Sequence, residues 1–362
     1  MMTLKPTRMK AFALSIIVLD FLTTVNCFGA TYARQGASEW FKTEQTQVRL
    51  ISATRSIGNN NMIHLGLQFK LKGNWKIYWR TPGDAGFPPR LDWKNSSNLK
   101  ITKFDWPAPV RFKVLGFQTI GYKKEVVFPI AATLQNTKQP LRLQAELNYL
   151  TCDDVCIPYK TNLKLDLPSG DGSPTEHLQL INEFMSKVPG DGSADGLTIK
   201  RVEIAGDLEF VERDIGKGFI RVIAKSAVPF KNPDIFVEGP ELAFFSLPRV
   251  KLEDSGKRAV IVIPFSVEEP KRISPANLTL TIKDSERSAT QTHAVVIGPP
   301  ITFSSLNLHI SFPIILGLAL IGGIILNLMP CVLPVISLKI LGLVSYGGAE
   351  YKIIRMSFVA SS

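Results

Sequence analysis

A mainly β chain is expected from this sequence: two β-sandwich domains, followed by the start of an α-helical membrane domain. Apolar residues alternate with polar or small ones at Ile63, Leu65, Leu67, Phe69 and Leu71, and again at Leu141, Leu143, Ala145, Leu147 and Tyr149. That is the period of a strand with one buried face. A second set of short strand-like runs, separated by turn residues, fills residues 196–298, the spacing of a sandwich or barrel. From Ile310 to Val344 only Asn327 and Lys339 are strongly polar interruptions of an apolar stretch, which marks a membrane segment.

The 362 residues are enough for two or three domains. Residues 1–30 have the layout of a secretory signal: Lys5, Arg8 and Lys10, then an apolar run from Ala11 to Val25, then small residues. Cleavage after Gly29 is expected. Asp20 is out of place in the apolar run, and lipid attachment at Cys27 is the weaker alternative because Thr24 and Asn26 suit it poorly. An exported chain meets an oxidising compartment, so close cysteines there can form and keep a disulfide. Cleavage leaves Cys152, Cys156 and Cys331, an odd number, so one needs a partner outside this sequence. The net charge of +11 comes from Lys and Arg scattered among acids, which is a solvated basic surface and not a nucleic-acid stripe.

Residues 31–168 form the first domain. All five tryptophans, Trp40, Trp75, Trp79, Trp93 and Trp106, fall in it and are expected as sandwich core. The segment from Gly83 to Pro89 is turn-forming and excludes a helix. Leu163, Leu165 and Leu167 alternate again after the cysteines, so Cys152 and Cys156 lie in the connection between two strands, as in a hairpin. Residues 169–195 are a linker and a short helix, with Thr175 as cap and Leu178, Leu180, Ile181, Phe184 and Met185 on one face. Residues 196–300 form the second domain, with strands expected at Gly218–Ile223, Asp234–Glu238, Ala259–Val267 and Leu278–Ile282; it has no cysteine and is expected as a spacer or docking module. Residues 308–346 are longer than the roughly 20 residues of one span, and Pro330 and Pro334 break them into a kinked or discontinuous helix. Lys352 and Arg355 put the far end in the cytoplasm. Residues 347–362 are a cytoplasmic loop and the start of another span, so the chain is expected to be the front of a longer protein.

Thiol exchange needs an accessible thiolate. The loop from Thr151 to Pro158 offers access, and Asp153 and Asp154 should raise the thiol pKa by repulsion, favouring attack on the pair as a disulfide. The structural alternative is a staple, although so short a loop stabilises little through chain entropy. Cys331 lies between Pro330 and Pro334. Their freed backbone groups are tolerated in a membrane only where protein or a water-filled cavity satisfies them, which suits a thiol reached from both faces; the alternative is a small buried hydrophobe. His64, His177, His293 and His309 are dispersed, so no zinc site is expected. Cu(I) held by Cys152 and Cys156 stays open, because thiolates select soft metals.

Three segments carry a resemblance: Trp75–Gly86, Tyr149–Pro158 and Asn327–Pro334. With them the chain resembles the DsbD-like transmembrane thiol:disulfide interchange proteins, in particular the suppressor-of-copper-sensitivity protein B branch. The resemblance implies immunoglobulin-like periplasmic domains, with Cys152 and Cys156 passing electrons to thioredoxin-like or disulfide isomerase proteins. It further implies that Cys331 takes electrons from cytoplasmic thioredoxin within a lipid-embedded membrane domain, and that no cofactor is needed. It places the chain at the bacterial inner membrane with residues 31–305 in the periplasm. The three-residue spacing between Cys152 and Cys156 is shorter than in DsbD itself and points to the copper-sensitivity branch. A second membrane cysteine and a thioredoxin-like domain are expected of a complete relay and do not occur in this sequence.

Overall fold

The structure is a computed structural model that describes residues 36–114, 116–205, 209–212, 215–240, 243–268, 277–299, 316–317 and 319–323. The chain divides into two compact units, residues 1–301 and 302–362. The expected signal (1–30), Cys331 and the loop 347–362 lie outside the described residues. So does most of the expected broken span (308–346), of which residues 316–317 and 319–323 are helical. Among the described residues no helix is long and apolar enough to cross a membrane.

The first domain is an immunoglobulin-like β-sandwich. Its strands are β1 (Phe41–Lys42), β2 (Thr46–Ser52), β3 (Met62–Leu71), β4 (Lys76–Gly83), β5 (Arg90–Asp92) and β6 (Leu99–Phe104). They are followed by β7 (Val110–Val114), β8 (Phe117–Lys123), β9 (Glu125–Leu134), β10 (Leu141–Cys152) and β11 (Cys156–Leu167). One sheet runs β1-β2-β3-β9-β6 and the other β11-β10-β4-β8-β7, with β5 beside β10. The alternating residues close the core between them: Leu65, Leu67 and Phe69 face Leu141, Leu143, Leu147 and Tyr149, all fully buried. Phe69 meets Phe128 and Tyr149 edge to face, with ring centroids 6.0 and 5.1 Å apart, the geometry favoured by the ring quadrupoles. Burial of such side chains is worth about 1.5–3 kcal/mol each. It anchors β10 along its length and so fixes where the strand delivers its last residue, Cys152.

The linker folds back on this sandwich. Helix α1 (Leu178–Ser186) buries Ile181 and Phe184 against the first sheet. This is why β3 is buried on both faces at its centre, where a Cβ on Gly66 would stand 2.6 Å from Val127 and 3.3 Å from Ile181. Thr175 is not the helix cap: the cap is His177, without a side-chain bond. Thr175 instead donates to the Ser52 carbonyl and accepts from the His177 amide, so its hydroxyl ties the linker to β2 before the helix begins.

The second domain, also an immunoglobulin-like sandwich, contains β12 (Leu197–Ala205), β13 (Glu209–Glu212), β14 (Ile215–Ser226), β15 (Pro233–Glu238) and β16 (Ala243–Phe245). It continues with β17 (Arg249–Glu253), β18 (Arg258–Glu268), β19 (Asn277–Asp284), β20 (Arg287–Ala294) and β21 (Val296–Gly298). The four expected strands are present, each longer than its apolar run. A sheet ordered β16-β18-β14-β12-β21, with β13 beside β14 and β17 beside β18, packs on a second one ordered β15-β19-β20. The two domains are not beads on a spacer. Phe236 of β15 is buried within the first domain's core cluster, 5.9 Å from the Trp79 ring. Arg80 and Arg111 of the first domain pair with Glu238 and Asp234 of the second.

Candidate redox site on the outer face of the second sheet

The two cysteines close a β-hairpin. Strands β10 and β11 pair over their full length, and Cys152 is directly opposite Cys156 at the end. The sulfurs are joined in a disulfide with Cα atoms 4.2 Å apart. Asp153, Asp154 and Val155 make the turn, closed by the Asp153 amide donating to the Val155 carbonyl.

Parity places this disulfide away from the main core. Tyr149 and Leu147 of β10 point into the sandwich, so Leu150 and Cys152 point out, because side chains alternate along a strand. Directly opposite residues of antiparallel strands share a face. Lys123 lies opposite Lys76, Lys76 opposite Cys152, and Cys152 opposite Cys156. The four side chains therefore form one row across β8, β4, β10 and β11.

The two sulfurs have opposite surroundings. Cys152 is 0% exposed, packed with Tyr78, Phe112 and Val114 in a small cluster of its own with Leu150 at its edge. Cys156 is exposed at the sheet edge, beside Val155, which is also exposed. The Tyr78 hydroxyl is 3.9 Å from Cys156 Sγ. Burial pushes the Tyr78 pKa up to about 12, so the phenol keeps its proton at neutral pH and acts as the donor to sulfur. The ring is held from above by the turn after β4: a Cβ on Gly86 would stand 2.4 Å from Tyr78 Cε1 and Cζ.

Lys76 changes the expected electrostatics. Its ammonium is 2.7 Å from Asp153 Oδ1, with side-chain exposures of 8% and 27%. The repulsion expected of Asp153 is thus met by a cation in the same row as the sulfurs, and only exposed Asp154 keeps the simple repulsive role. The Thr151 hydroxyl donates to the Lys76 carbonyl at 2.9 Å, fixing β4 to β10 where their pairing begins.

Of the residues expected to carry chemistry, the structure joins Cys152 to Cys156, while Cys331 lies outside the described residues. Lys76, Tyr78, Phe112 and Val114 were not expected at the site. Trp75–Gly86 was singled out as a motif without a role for any of its residues, and Lys76 and Tyr78, alternating with core-facing Ile77 and Trp79, were the available signal. Among the described residues no group of three or more His, Cys, Asp or Glu could hold a metal ion. Chemically, the arrangement offers an exposed sulfur open to in-line attack, with a buried sulfur as its leaving group or resolving nucleophile.

Comparisons with known proteins agree with this geometry. Residues 46–168 match the family model "Thiol:disulfide interchange protein DsbD, N-terminal", and residues 187–298 match a domain of unknown function, DUF8393. The N-terminal periplasmic domain of ScsB from Proteus mirabilis superposes with a TM-score of 0.57 at 22% identity, covering 73% of this chain and 100% of that one. The likeness shows a shared fold over both sandwiches. The reduced N-terminal domain of DsbD from Neisseria meningitidis covers 39% of this chain and 91% of its own at 16% identity. Its TM-score of 0.21 is too low to build on. No curated protein matches the chain.

Proposed function

We propose that the chain is a DsbD-like protein, its residues 46–168 matching the N-terminal domain model of thiol:disulfide interchange protein DsbD, and that it is the periplasmic arm of a membrane protein-disulfide reductase in which Cys152 and Cys156 pass two electrons to oxidised periplasmic partners. The observation that carries this reading is the asymmetry of the pair, one sulfur exposed and one fully buried within a single disulfide. A staple needs no such asymmetry, whereas sequential exchange requires one sulfur to be met first.

In the reduced arm the Cys156 thiolate attacks a partner disulfide. The partner's bond breaks, one partner sulfur leaves as a thiolate, and a mixed disulfide forms. The Cys152 thiolate then attacks Cys156 Sγ, closing Cys152–Cys156 and releasing the partner as a dithiol. Two electrons have moved and the arm is oxidised. Tyr78, protonated and beside Cys156 Sγ, stabilises negative charge on that sulfur in the thiolate that attacks. Lys76 offsets Asp153 beside both sulfurs. Recharging runs in reverse, with electrons coming from cytoplasmic thioredoxin through Cys331 and the remainder of a membrane domain. The fold shared with the ScsB periplasmic domain and the short spacing of the pair support the copper-sensitivity branch and a periplasmic location for residues 31–305. In this reading residues 1–30 are the export signal and residues 308–346 the first, broken span.

Trapping tests the order of attack. Reduced chain carrying Cys152→Ser is mixed with an oxidised thioredoxin-fold disulfide isomerase, and Cys156 is expected to accumulate a stable mixed disulfide. Accumulation on Cys152 in the Cys156→Ser chain, with none on Cys156, would reverse the assignment. No adduct on either would remove the electron-donor reading.

A further inference from the structure

Strands β4 and β7 carry the covers of the buried sulfur, Tyr78 on β4 and Phe112 and Val114 on β7. Each also carries an arginine bound to the second domain, Arg80 two residues after Tyr78 and Arg111 next to Phe112. Arg80 Nε and Nη2 donate to both carboxylate oxygens of Glu238 at 2.8 and 2.7 Å, and Thr81 adds a bond at 3.2 Å. Arg111, 13% exposed, reaches both oxygens of Asp234 at 3.3 Å and the Ile235 carbonyl at 2.8 Å, with its guanidinium 5.1 Å from the Phe236 ring centroid. Lys283 donates to the Pro109 carbonyl at 3.2 Å, at the residue before β7 begins. Forked arginine–carboxylate pairs fix orientation as well as position.

The coupling between these ties and the site follows from strand geometry. Arg111 and Phe112 are consecutive, so a strand that holds Arg111 toward the second domain must present Phe112 to the opposite face. Among the described residues the short strand β7 pairs only with β8. As the sheet's edge strand, it has among the described residues no second β neighbour to hold Phe112 and Val114 over Cys152. β15 and the end of β19 supply that restraint from another domain.

We propose that Asp234 and Glu238 of the second domain are positioning residues for the redox site: through Arg111 and Arg80 they hold β7 and β4 so that Phe112 and Tyr78 stay closed over Cys152, making the second sandwich a clamp on the resolving thiol. The inference rests on the redox reading for its meaning, but the closure can be measured without any electron transfer.

The measurement is the alkylation rate of each cysteine by iodoacetamide in the reduced full chain, resolved by peptide mass spectrometry. Cys152 is followed in a Cys156→Ser background and Cys156 in a Cys152→Ser background. Replacing Asp234 and Glu238 by Ala is expected to speed alkylation of Cys152 about tenfold, equivalent to about 1.4 kcal/mol in the opening equilibrium. Cys156, already exposed, should change by less than about twofold on the same scale. The milder Asp234→Asn, Glu238→Gln pair serves if the alanine chain does not fold, with the same direction expected. An unchanged Cys152 rate overturns the clamp, and so does an equal rise at both cysteines, which would signify general loosening. Cys152 unmasked in a chain that never traps a partner on Cys156 supports the clamp while removing the electron-donor function.

Discussion

Replacing Lys76 by Met keeps the buried aliphatic stem and deletes the cation that pairs with Asp153 at the disulfide turn. Two effects follow, on stability and on the thiols. An exposed ion pair is worth about 0.2–1 kcal/mol, while stripping the partner from a buried charge costs about 3–5 kcal/mol. Asp153 keeps 27% of its side-chain surface in water, so the loss should fall between these limits, at about 1–2 kcal/mol. With a urea slope near 3 kcal/mol/M, that is a fall in midpoint of about half a molar. The thiols respond to the charge itself. Lys76 sits directly opposite Cys152, so removing its positive charge should move the thiol pKa of the reduced chain upward, because a nearby cation favours the thiolate. Asp153→Asn removes the opposite charge and should move the same thiol downward. The assay is thiolate absorbance against pH in the reduced chain, with each cysteine also followed alone. Shifts of one sign in both variants, or shifts below about 0.3 units in both, would refute the electrostatic reasoning.

Two further outcomes test the scaffold. Gly86 has φ +103° and a Cβ there would meet the buried Tyr78 ring, so Gly86→Ala should cost about 2 kcal/mol or more; a urea shift equivalent to less than about 0.5 kcal/mol would mean that the turn does not rest on the ring. His177 is held below its ordinary pKa, first by burial and then by Arg49, with Glu176 opposing. The unfolded chain therefore takes up this proton at higher pH than the folded one. The stability that neutral His177 confers is present above about pH 6.5 and is lost as pH falls through the folded value. His177→Gln should flatten that part of the acid slope of the urea midpoint, and an unchanged slope would count against it.

The sandwich was legible where one face of a strand is buried and the other wet. β3, β10 and β11 declare themselves by alternation, and the hairpin that brings Cys152 to Cys156 follows from two such strands flanking a short loop. The cover of the site was not legible, because Tyr78 and Trp79 are consecutive and both fully buried. One faces the disulfide and the other the main core, so the period that marks a strand disappears where β4 does two jobs. Phe112 and Val114 lie on a short edge strand whose place beside the site comes from its pairing with β8, not from any pattern of its own. Charges misled in a related way. Arg80, Arg111, Asp234 and Glu238 look like solvated surface in sequence, and they meet across 123 and 158 residues of chain. No local rule announces such a contact, and it separates the two readings of the second domain, a spacer or a docking module, by placing it against the strands beside the disulfide. Asp153 was expected to repel a thiolate, but the lysine that meets it comes from a strand 77 residues earlier.

The reduction potential of the Cys152–Cys156 pair, equilibrated against glutathione in the full chain and read by mass spectrometry at those two residues, decides whether the bond is exchanged or merely kept. An electron-passing pair requires a potential above about −300 mV, within reach of thiol partners. A value below about −300 mV, the range of inert structural bridges, would contradict it.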